Sequence, residues 1–362
     1  MRVALVGTGL IGASVGLAAK RAGAEVFGFD PDAGALQGAV AKGAVDVAAA
    51  TREDALQGAE LAVVAAPVAQ LAREVQTVLE TAPEGCTVTD VGSTKSAVCA
   101  GANGSARFVG GHPVCGSEAR GPEHASGELF QGATWFLTPL PETDAQRYRL
   151  VHAFVSSLGA TPVAVDPEAH DRIVALTSHL PHALANLLVN QAGATRVEGH
   201  DPLLSAGGSL RDMTRVAGAN PRIWVDIFLD NAQPLSESLA EHRKRIEKLE
   251  EALASGDAGF VARWIGEASG NRRRMLEVAY DDPGALHRLR VHVPDRAGVL
   301  AAITQGLGAE RVNIEDFELQ HLSPERGGVL MLLISGEREA NRAAELLEQQ
   351  GYGVVVSPII DE

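Results

Sequence analysis

The sequence predicts an α/β protein in three parts: a doubly wound sheet, an all-helical region and a small α+β module. In the first half, short apolar runs that end at Gly, Pro or Asp alternate with Ala-rich and Leu-rich stretches of helical composition. Between residues 168 and 280 strand-like runs are few, and apolar residues follow a helical period. The last part, about 75 residues, returns to alternating strands and helices. We therefore expect domains at 1–165, 166–282 and 286–362.

Composition narrows the class of protein. A length of 362 residues suits two or three domains, and 46% hydrophobic with 21% charged residues excludes wholesale disorder. The net charge of −15 argues against nucleic acid or an anionic membrane as the main partner. Cys86, Cys99 and Cys115 form no CxxC pair, which favours a reducing compartment. With no signal-peptide pattern and no apolar run near the ~20 residues that span a bilayer, we expect a cytoplasmic protein without membrane contact.

The apolar runs of the first part predict seven strands of a parallel sheet with helices between them. They are Val3–Val6, Glu25–Phe29, Leu61–Ala65, Thr87–Asp90, Arg107–Val109, Thr134–Leu137 and Pro162–Val165. In the second part, Leu184, Leu187, Leu188 and Gln191 have helical spacing, and Leu235–Leu253 predicts a charged helix. Because the helices 168–192 and 221–240 are too hydrophobic for a single-layer cover, we expect a homodimer.

A linker at 281–284, Asp-Asp-Pro-Gly, precedes a βαββαβ module. Its predicted elements are strand Leu286–Val293, helix Gly298–Leu307, strand Asn313–His321, strand Val329–Ile334, helix Arg338–Gln350 and strand Val354–Ser357.

A glycine-rich turn follows the first strand and opens a helix. It reads Gly7, Thr8, Gly9, Leu10, Ile11, Gly12. In a Rossmann-type fold, the first glycine allows the tight turn, the second lets the backbone approach a pyrophosphate and the third lets helix and strand pack closely. Asp30, 18 residues after Gly12, can accept from both ribose hydroxyls and repel a 2′-phosphate, which favours NAD over NADP. Pro67 closes another strand at this edge, where the sheet would contact the cofactor. The alternative for the glycine-rich turn is a structural strand–turn–helix that binds no ligand.

Two further strand ends carry polar residues suited to catalysis. Ser93 follows the strand ending at Asp90, and His112 follows two glycines. A histidine with an ordinary pKa near ~6.5 can take a hydroxyl proton as hydride leaves the same carbon, and a serine can orient that hydroxyl. The structural alternatives are that Ser93 caps a helix starting at Thr94 and that His112 packs in a glycine turn.

The helical region offers candidate ligands for an anion. His179 and His182 can share a helix face, but no third residue stands at metal-site spacing, so we expect no zinc. Arg211 and Arg215 lie four apart on one predicted helix face, and in a chain this acidic they suggest an anion clamp near Trp224. The alternative is a solvated helix face.

Together these motifs resemble the prephenate dehydrogenase family of tyrosine biosynthesis. The resemblance rests on Gly-Thr-Gly-Leu-Ile-Gly, Asp-Val-Gly-Ser-Thr-Lys, Gly-Gly-His-Pro-Val-Cys-Gly-Ser-Glu, Ser-His-Leu-Pro-His and Arg-Asp-Met-Thr-Arg-Val-Ala, in this order over about residues 1–280. Cys115 stands where we expect alanine, which removes no catalytic group.

The resemblance implies that hydride passes from C4 of prephenate to NAD+ while His112, aided by Ser93, accepts the hydroxyl proton. Loss of the ring carboxylate as CO2 then gives 4-hydroxyphenylpyruvate. It also implies that His182 and Arg215 hold a substrate carboxylate. The residues that line the pocket would be Arg211, His179, Glu118 and Trp224.

The last part resembles an ACT regulatory domain, through Val-Pro-Asp-Arg-Ala-Gly-Val-Leu at 293–300 and Val-Asn-Ile at 312–314. This resemblance suggests tyrosine as effector, with contacts from Asp295, Arg296, Ala297, Gly298 and Asn313. The alternative is a structural appendage or a second dimer contact.

Three rival functions stay open. Another NAD-linked hydroxyacid dehydrogenase or imine reductase is disfavoured, since many such enzymes use a helix-borne lysine and residues 166–230 contain none. A non-catalytic NAD and amino-acid sensor leaves His112, His182 and Arg215 unexplained. Arogenate (cyclohexadienyl) dehydrogenase is the nearer alternative, because arogenate keeps both carboxylates of prephenate.

Overall fold

A computed structural model describes residues 1–115, 119–277, 285–323 and 327–359. The chain forms two compact units, Met1–Lys244 and Arg245–Glu362. In the described part no helix combines the length and apolarity that crossing a bilayer requires.

The first unit contains an eight-stranded sheet. Its strands are β1 (Arg2–Val6), β2 (Glu25–Phe29), β3 (Val47–Ala48), β4 (Leu61–Val64), β5 (Thr87–Asp90), β6 (Phe108–Pro113), β7 (Thr134–Pro139) and β8 (Thr161–Ala164). They lie in the order β3-β2-β1-β4-β5-β6-β7-β8, and every neighbouring pair is parallel except β6 and β7. All seven predicted strands are present, six of them with small shifts, and the short edge strand β3 was not predicted. The prediction of an all-parallel sheet is wrong at β6 and β7, which pair antiparallel.

Helices cover both faces of this sheet, as the doubly wound prediction requires. They are α1 (Leu10–Arg21), α2 (Ala33–Ala41), α3 (Arg52–Leu56), α4 (Val68–Thr81), α5 (Ser96–Gly101) and α6 (Ala145–Ser157). Successive residues of β1 enter different cores: Leu5 packs in one apolar cluster, and Ala4 and Val6 pack in the other. Side chains of a strand alternate between faces, so a sheet buried on both faces needs continuous apolar runs.

One strand is longer than the sequence predicts. We expected β6 to end at Val109 with a glycine loop after it, but it continues to Pro113, and His112 pairs with Phe136 of the antiparallel β7. The glycines serve close packing here: a Cβ on Gly110 would lie 2.2 Å from Thr138 Oγ1, and one on Gly111 would lie 2.6 Å from the carbonyl oxygen of Asp90. His112 is therefore on the sheet itself.

The helical region is confirmed. It comprises α7 (Pro167–Val174), a π-helical turn (Ala175–His179), α8 (Leu180–Ala194), α9 (Gly208–Thr214), a 3-10 turn (Arg215–Gly218), α10 (Pro221–Asp230), α11 (Ala232–Ser255) and α12 (Ala258–Leu276). Within the first unit, α10 packs against α4 and α8 packs against α9. The helical region therefore contacts the sheet domain through α10, and also through α7, which packs against α5 and β7.

The predicted α+β module is also confirmed within the second unit. Its elements are β9 (Leu286–Val293), α13 (Val299–Ala309), β10 (Asp316–Ser323), β11 (Gly327–Ser335), α14 (Glu337–Gln349) and β12 (Gly353–Pro358). The strands form an antiparallel sheet in the order β10-β11-β9-β12. Its core joins the sheet to both helices through residues such as Leu289, Ile303 and Leu347.

Candidate active site

The turn between β1 and α1 has the geometry of a dinucleotide site. Gly7 has a φ of +99°, and a Cβ there would lie 2.3 Å from the carbonyl oxygen of Ala65. A Cβ on Gly12 would lie 2.1 Å from the carbonyl oxygen of Gly7. A Cβ on Gly9 would meet nothing within 4 Å, and no side chain caps α1. The helix amino terminus therefore opens onto free space that a phosphate could fill.

Asp30 is held beside this turn. Its Oδ2 accepts from the backbone N–H of Thr8 at 2.6 Å and from the Thr8 hydroxyl at 3.1 Å, and its Oδ1 accepts from the N–H of Asp32 at 2.9 Å. These bonds fix a carboxylate where β2 ends. Leu10 and Ile11 begin α1, and Pro67 is the N-cap residue of α4, in the connection that follows β4.

A buried ion pair joins Asp90, the last residue of β5, to Lys95 in the segment that follows this strand. The Lys95 ammonium contacts the Asp90 carboxylate, and neither side chain is exposed. Asp90 also accepts from the backbone N–H of Gly92 at 2.8 Å and from that of Gly111 at 3.0 Å. Asp90 thereby fixes the backbone immediately before each of the two candidate catalytic residues, Ser93 and His112.

His112 belongs to a chain of three side chains. Its Nδ1 lies 2.8 Å from Nε2 of His170, and Nδ1 of His170 lies 2.8 Å from Oδ1 of Asp171. Asp171 also accepts from the backbone N–H groups of Lys95 and Ser96, each at 2.8 Å. His170 and Asp171 are buried, and His112 is half-buried.

Burial and hydrogen bonds set the protonation states of His112 and Asp171. Burial lowers the pKa of His112 well below its usual range, and the neighbouring His170, Lys95 and His179 add to this effect, which Asp171 opposes. Burial alone raises the pKa of Asp171, but hydrogen bonds from His170, Ser96 and Lys95 outweigh it and leave the pKa lowered. His112 is therefore neutral at pH 7, and Asp171 is ionised.

A second cluster, in the helical region, surrounds Trp224. The ring of His182 stacks on Trp224 with centroids 3.5 Å apart, and Nδ1 of His182 donates to the carbonyl of Ser178 at 3.0 Å. His179, in the π-helical turn, meets the edge of Trp224. Burial lowers the pKa of His179 to about 4, so its ring is neutral.

Asn231 determines the tautomer of His179. Its side-chain NH2 donates to the carbonyl of Asp171 at 2.9 Å and lies 3.0 Å from Nδ1 of His179. Because the carbonyl only accepts, the amide orientation is fixed, and Nδ1 of His179 accepts. His179 therefore carries its hydrogen on Nε2 and can act as a neutral donor.

The two candidate arginines differ in position. Arg211 lies on α9, whereas Arg215 is the residue after its end and begins the 3-10 turn, so they do not share one α-helix as we predicted. Both are exposed. The positive charge of Arg215 adds to burial in lowering the pKa of His182, which the carbonyl of Ser178 opposes. Arg215 is thus the arginine placed near His182.

Of the remaining predicted site residues, the structure describes Ser93 but not Glu118. Ser93 is half-buried, and α5 begins at Ser96 with Lys95 before it, so the helix-capping alternative does not hold. Glu118 lies outside the described residues. No cluster of three or more potential metal ligands occurs within the described ranges. Burial raises the pKa of the Cys115 thiol to about 11.

Comparison with known proteins places the chain in a family. The model described as prephenate dehydrogenase, nucleotide-binding domain, matches residues 15–164, and that described as prephenate dehydrogenase, dimerization domain, matches residues 166–267. Prephenate dehydrogenase of Bacillus subtilis is 31% identical over 355 residues, which cover 96% of this chain and 95% of the relative. This chain belongs to the prephenate dehydrogenase family.

Other relatives support the same assignment. An ACT domain model matches residues 287–351. A crystal structure of prephenate dehydrogenase from A. aeolicus in complex with hydroxyphenyl propionate and NAD+ is 29% identical, with a TM-score of 0.71 over 76% of this chain and 98% of that one. Arogenate dehydrogenase of Synechocystis is 27% identical, with a TM-score of 0.70 over 76% of this chain and 100% of that one.

Sequence reasoning missed four residues of this family member's site: Asp90, Lys95, His170 and Asp171. A usable signal existed for the last two. His170 and Asp171 share the buried face of α7 with Val174, and polar residues at core-facing helix positions indicate a buried polar contact.

Proposed function

We propose that this protein is an NAD-dependent prephenate dehydrogenase. It would convert prephenate and NAD+ into 4-hydroxyphenylpyruvate, CO2 and NADH. The observation that carries the proposal is the position of His112 at the carboxyl end of β6. Parallel strands end at one edge, and β6 is three strands from β1. At about 4.8 Å per strand the two ends lie ~14 Å apart, a span that an extended dinucleotide can bridge.

The residues of the glycine-rich turn fit NAD. The amino terminus of α1 and the open side of Gly9 would hold the pyrophosphate, and Asp30 would accept from the ribose hydroxyls. Pro67 would border the cofactor at the end of β4. NAD+, when bound, supplies the acceptor for the hydride that leaves C4 of the substrate.

His112 would act as the base. Its neutral ring accepts the C4 hydroxyl proton, and Ser93 orients that hydroxyl. The bond to the ring carboxylate then breaks, CO2 leaves and the bonding electrons make the ring aromatic. His112 would then return the proton to the phenolate oxygen, which gives the hydroxyl group of the product. Burial favours this role because it keeps the ring unprotonated near pH 7.

The second cluster would hold the substrate. Arg215 would pair with a carboxylate of prephenate, and its positive charge lies near His182. Neutral His182, whose Nδ1 donates to Ser178, would border this carboxylate without donating to it. Trp224 and the neutral N–H of His179 would line the pocket with Arg211 and Glu118.

Arogenate is the second candidate substrate, because Synechocystis arogenate dehydrogenase and Zymomonas mobilis cyclohexadienyl dehydrogenase, 30% identical over 77% of this chain, are both relatives. The test is NADH formation by the purified chain with prephenate and with arogenate, side by side. A larger kcat/KM with prephenate is expected. Activity only with arogenate would replace the proposal, and activity with neither would end it.

We propose tyrosine as an effector of the ACT domain. A cavity of about 300 Å³ lies between β9 and α13 and is lined by 293–301 with Leu319 and Gly328, so it includes Asp295–Gly298 of the predicted contact region. Asn313 does not line this cavity, and its amide donates to Glu315 at 2.8 Å. Unchanged rate and thermal stability at saturating tyrosine would exclude this effector.

We further propose a homodimer assembled through the helical region, whose family model is described as a dimerization domain. Large apolar side chains there face solvent in the single chain, including Leu187 at 60% and Leu229 at 72% exposure. A particle of 37.8 kDa in solution, the mass of one chain, would refute the dimer. The domain limits 1–165, 166–282 and 286–362 and a cytoplasmic location stay predictions.

A further inference from the structure

The chain His112–His170–Asp171 determines where hydrogens lie in the site. We infer that Asp171, acting through His170, holds the hydrogen of neutral His112 on Nδ1 and so presents the Nε2 lone pair as the base. His170 and Asp171 are positioning residues in this scheme, since they contact His112 or each other rather than substrate. The catalytic role of His112 rests on the proposed function, but the hydrogen position does not.

Asp171 can only accept hydrogen bonds when it is ionised. Its side chain is 4% exposed, and backbone N–H groups of Lys95 and Ser96 each donate to one of its oxygens. The same contacts lower its pKa and keep it ionised. Nδ1 of His170, at 2.8 Å, must therefore carry a hydrogen and donate it.

For a neutral His170, the hydrogen on its Nδ1 decides where the hydrogen of His112 lies. A neutral His170 with hydrogen on Nδ1 has a lone pair on Nε2, which accepts from Nδ1 of His112 at 2.8 Å. Neutral His112 then has no hydrogen on Nε2. The opposite tautomer of His112 would set two lone pairs against each other across the same 2.8 Å.

Packing leaves His170 little freedom to rearrange. Its fully buried ring meets the ring of His112 edge-on with centroids 5.1 Å apart, and that of Phe136 at 5.2 Å. The backbone carbonyl of Asp171 is held in turn by Asn231. Fixed rings of this kind hold a general base in one orientation before substrate arrives.

The charges around His112 are compatible with this arrangement. Asp171 is the anion that favours a proton on His112, and His170, Lys95 and His179 oppose it. The Lys95 ammonium is itself paired with Asp90. When His112 accepts a proton, its Nδ1–H still points along the chain toward the Asp171 carboxylate, as in other His–carboxylate relays.

Two variants of His170 separate the relay from simple structural support. In His170→Asn the amide reaches Asp171 but is too short to reach His112. In His170→Gln, the side-chain NH2 would donate to Asp171, as Nδ1 of His170 does in the parent. The Oε1 would accept from Nδ1 of His112, as Nε2 of His170 does in the parent. We expect His170→Asn to lower kcat about 10²-fold or more with KM changed less than about threefold, and His170→Gln to stay within about tenfold of the parent.

Equal kcat losses in the two variants, or a loss confined to KM, would overturn the relay. Thermal melts and NADH binding show whether each variant is folded. For the case in which either variant fails to fold, the parent protein supplies the decisive measurement.

That measurement is the 15N chemical shift of the His112 ring nitrogens in the full chain, labelled with 15N-histidine and assigned by loss of the signals in His112→Asn. We expect a protonated Nδ1 and an unprotonated Nε2 near pH 7. Hydrogen on Nε2 would overturn the inference even in an active enzyme. The expected tautomer without NADH formation from prephenate would leave it standing and reject the proposed function.

Discussion

Replacing Lys95 by methionine tests how the site is supported, because this lysine is the cation of a fully buried ion pair. The substitution keeps the length of the side chain and removes the ammonium, so the Asp90 carboxylate stays buried with two backbone donors, from Gly92 and Gly111. Breaking a buried pair by removing one partner costs about 3–5 kcal/mol. The two remaining donors offset part of this cost, so we expect about 3 kcal/mol.

The assay is denaturant unfolding followed by fluorescence of the three tryptophans, of which Trp135 lies in the core of the sheet domain. Lys20→Met is the matched control: Lys20 pairs with Asp46 at 2.7 Å, but both side chains are about one-third exposed or slightly less. Such a pair contributes about 0–1 kcal/mol. If Lys95→Met shifted unfolding no more than Lys20→Met does, the buried pair would not be what holds these segments together.

Other predictions concern the reaction and the cofactor. His112→Asn should lower kcat by about 10²–10⁴-fold while substrate still binds, whereas Arg215→Ala should chiefly raise KM for prephenate; equal, modest effects in steady-state kinetics would contradict these roles. Because burial lowers the pKa of His112, its neutral form persists at pH values below the usual histidine range. The acid limb of the kcat/KM profile should therefore lie well below pH 6.5. A limb at or above that pH would count against His112 as the base. Gly9→Ala should fold normally, since its Cβ would meet nothing within 4 Å, but it should raise KM for NAD+. Gly12→Ala should also lower the melting temperature, because its Cβ would lie 2.1 Å from the carbonyl oxygen of Gly7. A fully stable Gly12→Ala would contradict the close packing at this turn.

Among the described strands, sequence patterns predicted all but β3. They missed β3, because both residues of this edge strand, Val47 and Ala48, are exposed and carry no pattern to distinguish them from a loop. They also ended β6 at Val109, since two successive glycines signal a turn more often than a strand. Only the pairing with β7 and the crowding around Gly110 and Gly111 explain why the strand continues.

The candidate site shows the same division between local and long-range information. The glycine-rich turn and Asp30 belong to one βαβ unit with fixed spacing, so the sequence could place them together. His170 lies 58 residues from His112, and the packing of α7 against β7 brings Nε2 of His170 within 2.8 Å of Nδ1 of His112. A contact across that separation depends on tertiary structure, which spacing along one chain does not encode.

Asp171 connects the two halves of the site by different groups of one residue. Its carboxylate accepts from His170 and thereby orients His112, whereas its backbone carbonyl accepts from Asn231, which donates also to His179. One residue therefore fixes a lone pair on the sheet side and an N–H donor on the helical side. Since each tautomer follows from a partner that can only accept, neither depends on the substrate. The site is thus set up for proton acceptance at one place and for hydrogen-bond donation at another before any ligand binds.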